Sequence, residues 1–210
     1  MSFRTIDKPM AYSDFKTVGS VKSAFGLTTI EDVQFLTNVV PVKPGEILTA
    51  ILAENLPLAT ASGSEKARSE LIISPVLVEV RRQLDRKIGL FSGEDFTVDI
   101  EAKLSGCCDF LISRSAEQLE IEAPVIVLIE AKQADLKLGL GQCIAEMVAS
   151  QRFNQSKEKP LPVIYGCVSS GILWRFLKLE GTVVKIDLTD YAITPIDRIL
   201  GYLVWMAAKG

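Results

Sequence analysis

Val125 to Ile129 is an unbroken apolar run, bounded by Pro124 on one side and Glu130 on the other. Such a run reads as a strand covered on both faces, because a half-exposed strand alternates with polar residues. A strand of this kind needs neighbours in a sheet and helices above and below it. The flanking patterns supply both. Phe96, Val98 and Ile100 alternate with polar residues and predict a half-buried strand. Cys108 to Ile112 predicts a second strand, antiparallel to the first after a turn around Lys103 to Gly106. Val163 to Val168 is another buried strand, and Trp174 to Leu179 with Val183 to Leu188 forms a hairpin across Glu180-Gly181. Trp174 and Phe176 alternate within that hairpin and read as core residues.

Helices fall between these strands. Ser64 can cap a helix running to about Arg86, with Glu65 in its first turn and basic residues near its end. Pro75 is expected to bend that helix or interrupt its hydrogen-bond ladder. Gly139 to about Asn154 predicts a second helix, with Ile144, Met147 and Val148 on one face. Pro195 starts a last helix, whose apolar residues pack on the core or on a second copy of the chain. Ahead of Gly63 the patterning is weaker. Thr28 or Thr29 with Glu31 or Asp32 marks a helix start, ending near Asn38; a turn at PVKPG and a short helix through EILTAILAEN follow. The order predicts an α/β protein with a three-layer core: a mixed β-sheet flanked by helices. Residues 64–210 form that domain, and residues 1–63 form an N-terminal helical extension packed on it.

Composition narrows the chemistry. The chain has 210 residues, 48% of them hydrophobic, with a formal net charge of −3. It can bury a substantial core and is not strongly basic, so nucleic-acid contact requires a local basic stripe rather than bulk charge. There is no histidine. That excludes Ser-His-Asp and Cys-His catalysis and any imidazole-bound zinc. Cys107, Cys108, Cys143 and Cys167 lack CxxC spacing, and adjacent Cys107 and Cys108 point to opposite faces of a strand. They read as reduced core residues of a cytoplasmic protein. The first residues lack a basic segment followed by an apolar stretch, and no apolar run is long enough for a bilayer, so no membrane partner is expected.

One constellation carries chemistry. Asp109 sits early in one predicted strand, and Glu130 and Lys132 come where the next strand runs out of apolar residues. Residues two apart in a strand share a face, so Glu130 and Lys132 point together, while Ala131 faces away but offers its carbonyl oxygen where the strand frays. Hard divalent cations take oxygen ligands, and Mg²⁺ takes a few carboxylates while keeping waters. A lysine beside the metal can orient or deprotonate water, or neutralise charge developing on phosphate. Each residue also has a plainer reading. Asp109 can cap a turn, and Glu130 with Lys132 can close a surface ion pair. Gln142 can be a polar residue of a helix start, as Glu146 can one turn on. Arg81, Arg82, Arg86 and Lys87 can match a helix C-terminus, or can join Lys137 as a phosphate-binding rim.

With GCCDFLISR, VLIEAK and GLGQCIAEM in this order, the chain resembles the PD-(D/E)XK nuclease superfamily, which has a restriction-endonuclease-like fold. The resemblance covers roughly residues 64–168, and the wider pattern is similar to stand-alone bacterial proteins of that superfamily. Asp109 matches the first acid, though Cys108 stands where the family often has proline, and Glu130-Ala131-Lys132 matches the tripartite end. Gln142 resembles the glutamine that opens the second helix, and Glu65 or Glu70 the first-helix acid. The resemblance implies a core of helix, three strands, helix and strand. It implies a Mg²⁺- or Mn²⁺-dependent hydrolase cutting phosphodiester bonds, of DNA more than RNA, with metal held by Asp109, Glu130 and the Ala131 carbonyl. Some members of the superfamily are inactive, so a binding or regulatory protein of the same fold is the alternative.

Overall fold

The computed structural model describes residues 11–31 and 33–209. Its strands are β1 (Thr28–Glu31), β2 (Gly89–Asp95), β3 (Cys107–Ser113), β4 (Val125–Ala131), β5 (Ile164–Ser169), β6 (Leu173–Glu180), β7 (Val183–Ile186) and β8 (Tyr191–Ala192). They form one eight-stranded sheet in the order β1-β7-β6-β5-β4-β3-β2, with β8 paired to β6. The β1–β7 and β4–β5 pairs are parallel and the others antiparallel, so the sheet is mixed. The apolar run is central as expected: every residue of β4 is buried.

The longer helices are α1 (Val18–Phe25), α2 (Glu46–Ser62), α4 (Ser74–Gln83), α5 (Leu140–Ser156) and α6 (Asp197–Lys209). A short α3 (Glu65–Arg68) leads through a π-helical turn, Ser69–Ile73, into α4. Each face of the sheet has its own apolar core. Phe110, Ile112, Ile126 and Ile129 pack with α2, α4 and α6 on one side, and Leu111, Leu128 and Val168 pack with α5 and Val21 of α1 on the other. The protein is therefore α/β, with helices on both faces of the sheet. No helix among the described residues is long and apolar enough to cross a membrane.

Four predicted elements differ from those observed; the short helix expected to end at Asn55 runs on past Pro57 to Ser62. Thr28–Glu31 is a strand and not a helix start. The helix lies before it, opened by the Thr17–Ser20 capping box and closed by Gly26 at φ 63°. Thr28, Thr29 and Ile30 are β-branched, and a distant partner decides their state: they run parallel to Val183–Lys185. Asp32, the other residue named for that helix start, lies outside the described residues. The strand expected at 96–100 lies earlier, at Gly89–Asp95, after a reversal through Asp85 and Arg86 at φ 54° and 58°. Phe96 and Val98 continue as a looser hairpin, bonded to the Gly106 and Leu104 carbonyls, and Ile100 is exposed. Finally, α6 begins at Asp197 rather than Pro195.

Pro75 acts much as its chemistry demands. It cannot donate to the Leu71 carbonyl four residues earlier, and a π-helical turn precedes it. Asn55 of α2 donates its side-chain amide to that Leu71 oxygen at 2.8 Å. The segment before Ser64 is thus tied into the same core: β1 extends the sheet, and Leu48, Leu52 and Ala59 of α2 are buried with α4. All four cysteines are free, and Cys108, Cys143 and Cys167 are buried as expected, but Cys107 is exposed and not a core residue, because it points to the opposite face of β3 from Cys108. Trp174 and Phe176 are fully buried. Helix α6 turns its apolar residues to the core, with Ile199, Leu200, Leu203 and Met206 buried and Trp205 set edge-on to Tyr165.

Candidate functional site

The register of β3 against β4 pairs Phe110 with Ile129 and Leu111 with Leu128, which sets Asp109 opposite Glu130 at the strand end. Directly opposed residues point to one face, with Cβ atoms about 5 Å apart. Asp109 accepts a hydrogen bond on Oδ2 from the Ala131 amide at 2.8 Å. Lys132 continues the ladder beyond β4 by donating its amide to the Ser169 carbonyl at 2.8 Å. Its ammonium returns along the same face and bonds Glu130 Oε1 as an ion pair. Gln142, in the first turn of α5, donates its amide to Glu130 Oε2 at 2.9 Å and to Glu146 Oε1 at 3.2 Å. The structure thus brings together Asp109, Glu130, Lys132 and Gln142.

Gly139 makes this convergence possible. A Cβ there would lie 2.7 Å from Val168 Cγ1 and 3.1 Å from the Cγ atoms of both Glu130 and Lys132. Only a residue without a side chain lets the start of α5 approach so closely. The sequence signal was the glycine pair ahead of Gln142. Glu146 is the second residue whose weight appears only in the fold. It is fully buried, and its Oε2 has no hydrogen-bond partner among the described residues.

The site is electrostatically loaded. Glu130 is 1% exposed. Burial and the neighbouring Asp109 push its carboxyl up to about 8, against the pull of Lys132. Burial and then Glu130 push Glu146 well above the carboxylate range. Burial draws the Lys132 ammonium down, but Glu130, Glu65 and Asp109 outweigh it and the net direction is up. The two buried carboxyls therefore share one neutral donor, the Gln142 side-chain amide, and only Glu130 reaches the Lys132 ammonium. Burial and mutual repulsion favour the protonated form at both carboxyls, and the two titrate as a pair.

Beside this cluster lies an open hollow of about 290 Å³, lined by Glu65, Lys66, Glu70, Gly93, Asp109 and Ala131 among others. Gly93 is opposite Asp109 in the β2–β3 register, so no side chain crowds the aspartate from that strand. Ser64 caps α3 by accepting from the Ala67 amide, and Gln133 donates to the Gly63 carbonyl at 2.9 Å, which ties the helix start to the end of β4. Glu65 and Glu70 both border the hollow, but Glu70 is paired with Lys66 on the outside at 2.6 Å.

The basic residues are arranged differently. Arg81 donates to the Ile88 carbonyl, Arg82 pairs with Glu79, and Lys87 lies 3.7 Å from Asp85. Arg81, Arg82 and Arg86 line a separate depression with α2, sharing no residue with the hollow at Asp109. Lys137 is exposed in the 3₁₀ turn before α5.

The donor set suits a hard cation, being carboxylate and carbonyl oxygen. Asp109 and Glu130 are the carboxylates at hand, with Glu65 across the hollow. No cluster of three or more Asp, Glu, Cys or His side chains arranged for a metal is present among the described residues. Two carboxylates are enough for Mg²⁺, which retains much of its water shell. The surplus of acid over amine, with Asp109 and Glu130 side by side and only Lys132 against them, fits an added positive charge. A scan against models of known protein families and a search of curated proteins returned no match.

Proposed function

We propose that this protein is a metal-dependent nuclease of restriction-endonuclease-like architecture, acting on DNA. One observation carries the reading: Asp109 and Glu130 stand opposite each other at the end of the central strand, with Lys132 bonded to Glu130. In this reading Asp109, Glu130 and the Ala131 carbonyl hold Mg²⁺ or Mn²⁺. The ion, when bound, supplies a polarised water and neutralises phosphate charge. Lys132, kept as an ammonium by Glu130, donates to a phosphate oxygen or positions the water. Gln142 orients the Glu130 carboxylate from α5. Glu65 is the auxiliary acid better placed for a role, because Glu70 is engaged by Lys66.

The acidic lining has a consequence. Without a cation the hollow repels a phosphodiester, so DNA binding at this site depends on divalent metal as well as on salt. The test is cleavage of plasmid and oligonucleotide DNA with Mg²⁺ or Mn²⁺, comparing wild type with Lys132→Ala. Mn²⁺ uptake measured by calorimetry is the readout independent of activity. Folded wild type that cuts no DNA or RNA and takes up no Mn²⁺ would rule the reading out.

A second reading is a binding or regulatory protein of this architecture without hydrolysis. It is favoured by the nearly complete burial of Glu130 and by the engagement of both its oxygens, one by Lys132 and one by Gln142. It predicts no Mn²⁺ uptake and no change in nucleic-acid binding with Glu130→Gln.

A further inference from the structure

The depression that holds the arginines has no part in the chemistry above. It is a cavity of about 610 Å³ between α2 and α4, floored by Ile47, Ile51, Pro75 and Val78 and edged by Arg81 and Arg86. Ile47 is 68% exposed and Val78 57%. Large apolar side chains left open beside one another on neighbouring helices mark a contact surface.

Gln118, in the loop between β3 and β4, also lines the cavity. The sequence there is AEQLEIEA over residues 116–123, and Leu119 is 91% exposed, the highest value among the exposed large apolar residues. The loop is built to hold that leucine outward. Glu117 Oε1 accepts from the Gln118 amide at 2.8 Å and the Leu119 amide at 2.7 Å. Gln118 is tied to the chain start of β2, its Oε1 accepting from the Leu90 amide at 3.4 Å. A leucine flanked by Glu117 and Glu120 thus projects beside an apolar groove flanked by arginines, and does not enter the groove of its own chain.

Knob and groove are complementary in shape class and in charge, and they share one face. A surface carrying both halves of a contact pairs with itself about a two-fold axis, each copy giving what the other receives. We propose that a second copy of this chain docks here, Leu119 of each copy entering the Ile47–Ile51–Val78 groove of the other, with Glu117 and Glu120 against Arg81 and Arg86. The preformed loop lowers the ordering cost of that contact.

Sedimentation velocity of the full chain over a concentration series tests this. The expected result is a reversible dimer that weakens as salt rises. Leu119→Asp, at a site too exposed to affect folding, raises the dissociation constant at least about tenfold. Arg86→Glu weakens the dimer, and adding Glu120→Arg to it restores association. Circular dichroism of each variant matches wild type. A wild-type chain that stays monomeric across the series overturns the proposal, including the case in which the groove serves a different, acidic protein. So does a dimer indifferent to both Leu119→Asp and Arg86→Glu.

Discussion

Two buried glutamates in this protein are each bonded to a base, and their environments drive them in opposite directions. Glu79, 3% exposed, accepts from Arg82 through both oxygens, from Gln83 at 2.8 Å and from the Gly45 amide at 2.9 Å. Its carboxyl is held below the usual range, the Arg82 hydrogen bonds leading. Glu130, 1% exposed, has Lys132 and Gln142 but also faces Asp109 and Glu146, and its carboxyl is pushed up. One pair is saturated with donors. The other has more acid than donors can satisfy. A fold gains from the first arrangement; the second costs stability and persists where a cation or a reaction makes use of it.

The largest expected effect separates the two pairs by activity. Lys132→Ala should lower DNA cleavage about a thousandfold, whereas Arg82→Ala leaves it within a factor of a few. Plasmid nicking measures both, and equal effects would erase the distinction between the pairs. Next, Glu79→Ala should cost about 1–3 kcal/mol in urea unfolding. The loss comes mainly from the orphaned Gly45 amide and Gln83, because Arg82 is exposed enough to be solvated on its own.

The signs with pH follow from the same contrast. The folded Glu79 carboxyl lies below its ordinary 4.5, so its contribution is present above that pH and fades as pH falls beneath it. Glu79→Gln should flatten the acid limb of the stability curve. The folded Glu130 carboxyl lies above 4.5, at about 8, so stability in metal-free buffer declines as pH rises through that window. Glu130→Gln should reduce the decline. Urea midpoints across pH read both slopes, and slopes of the same sign would contradict the comparison.

A smaller effect tests positioning. Gln142→Leu removes a donor from Glu130 without touching Asp109, and should weaken Mn²⁺ binding about tenfold by calorimetry. Smallest, Asn55→Leu strands the Leu71 carbonyl that Pro75 cannot serve and should cost about 1 kcal/mol. It should leave Mn²⁺ binding unchanged, which sets a baseline for damage on the Glu79 side of the sheet.

Much of the site was legible before folding. Glu130 and Lys132 share a face because strand periodicity is two, and the apolar run ahead of them marks a sheet centre. Asp109 was placed on the neighbouring strand by the turn between predicted strands. The arginines were not legible. A basic helix end reads the same whether it flanks a hollow or lies far from it, and only the packing of α4 against α2 places Arg81 and Arg82 in a separate depression. Glu146 was recognisable as one turn beyond Gln142, but its burial depends on how closely Gly139 lets α5 approach the sheet.

By itself, then, the chain determined what short-range physics controls: the buried central strand, the hairpin at Glu180-Gly181, the Ser64 cap and the break at Pro75. Tertiary structure alone decided that Thr28–Glu31 would pair with a strand about 150 residues away, that the strand before β3 would begin at Gly89, and that two buried carboxyls would share the Gln142 amide. Local propensity acts within a few residues. Strand partnership and charge burial are settled by segments that meet only after the chain has closed on itself.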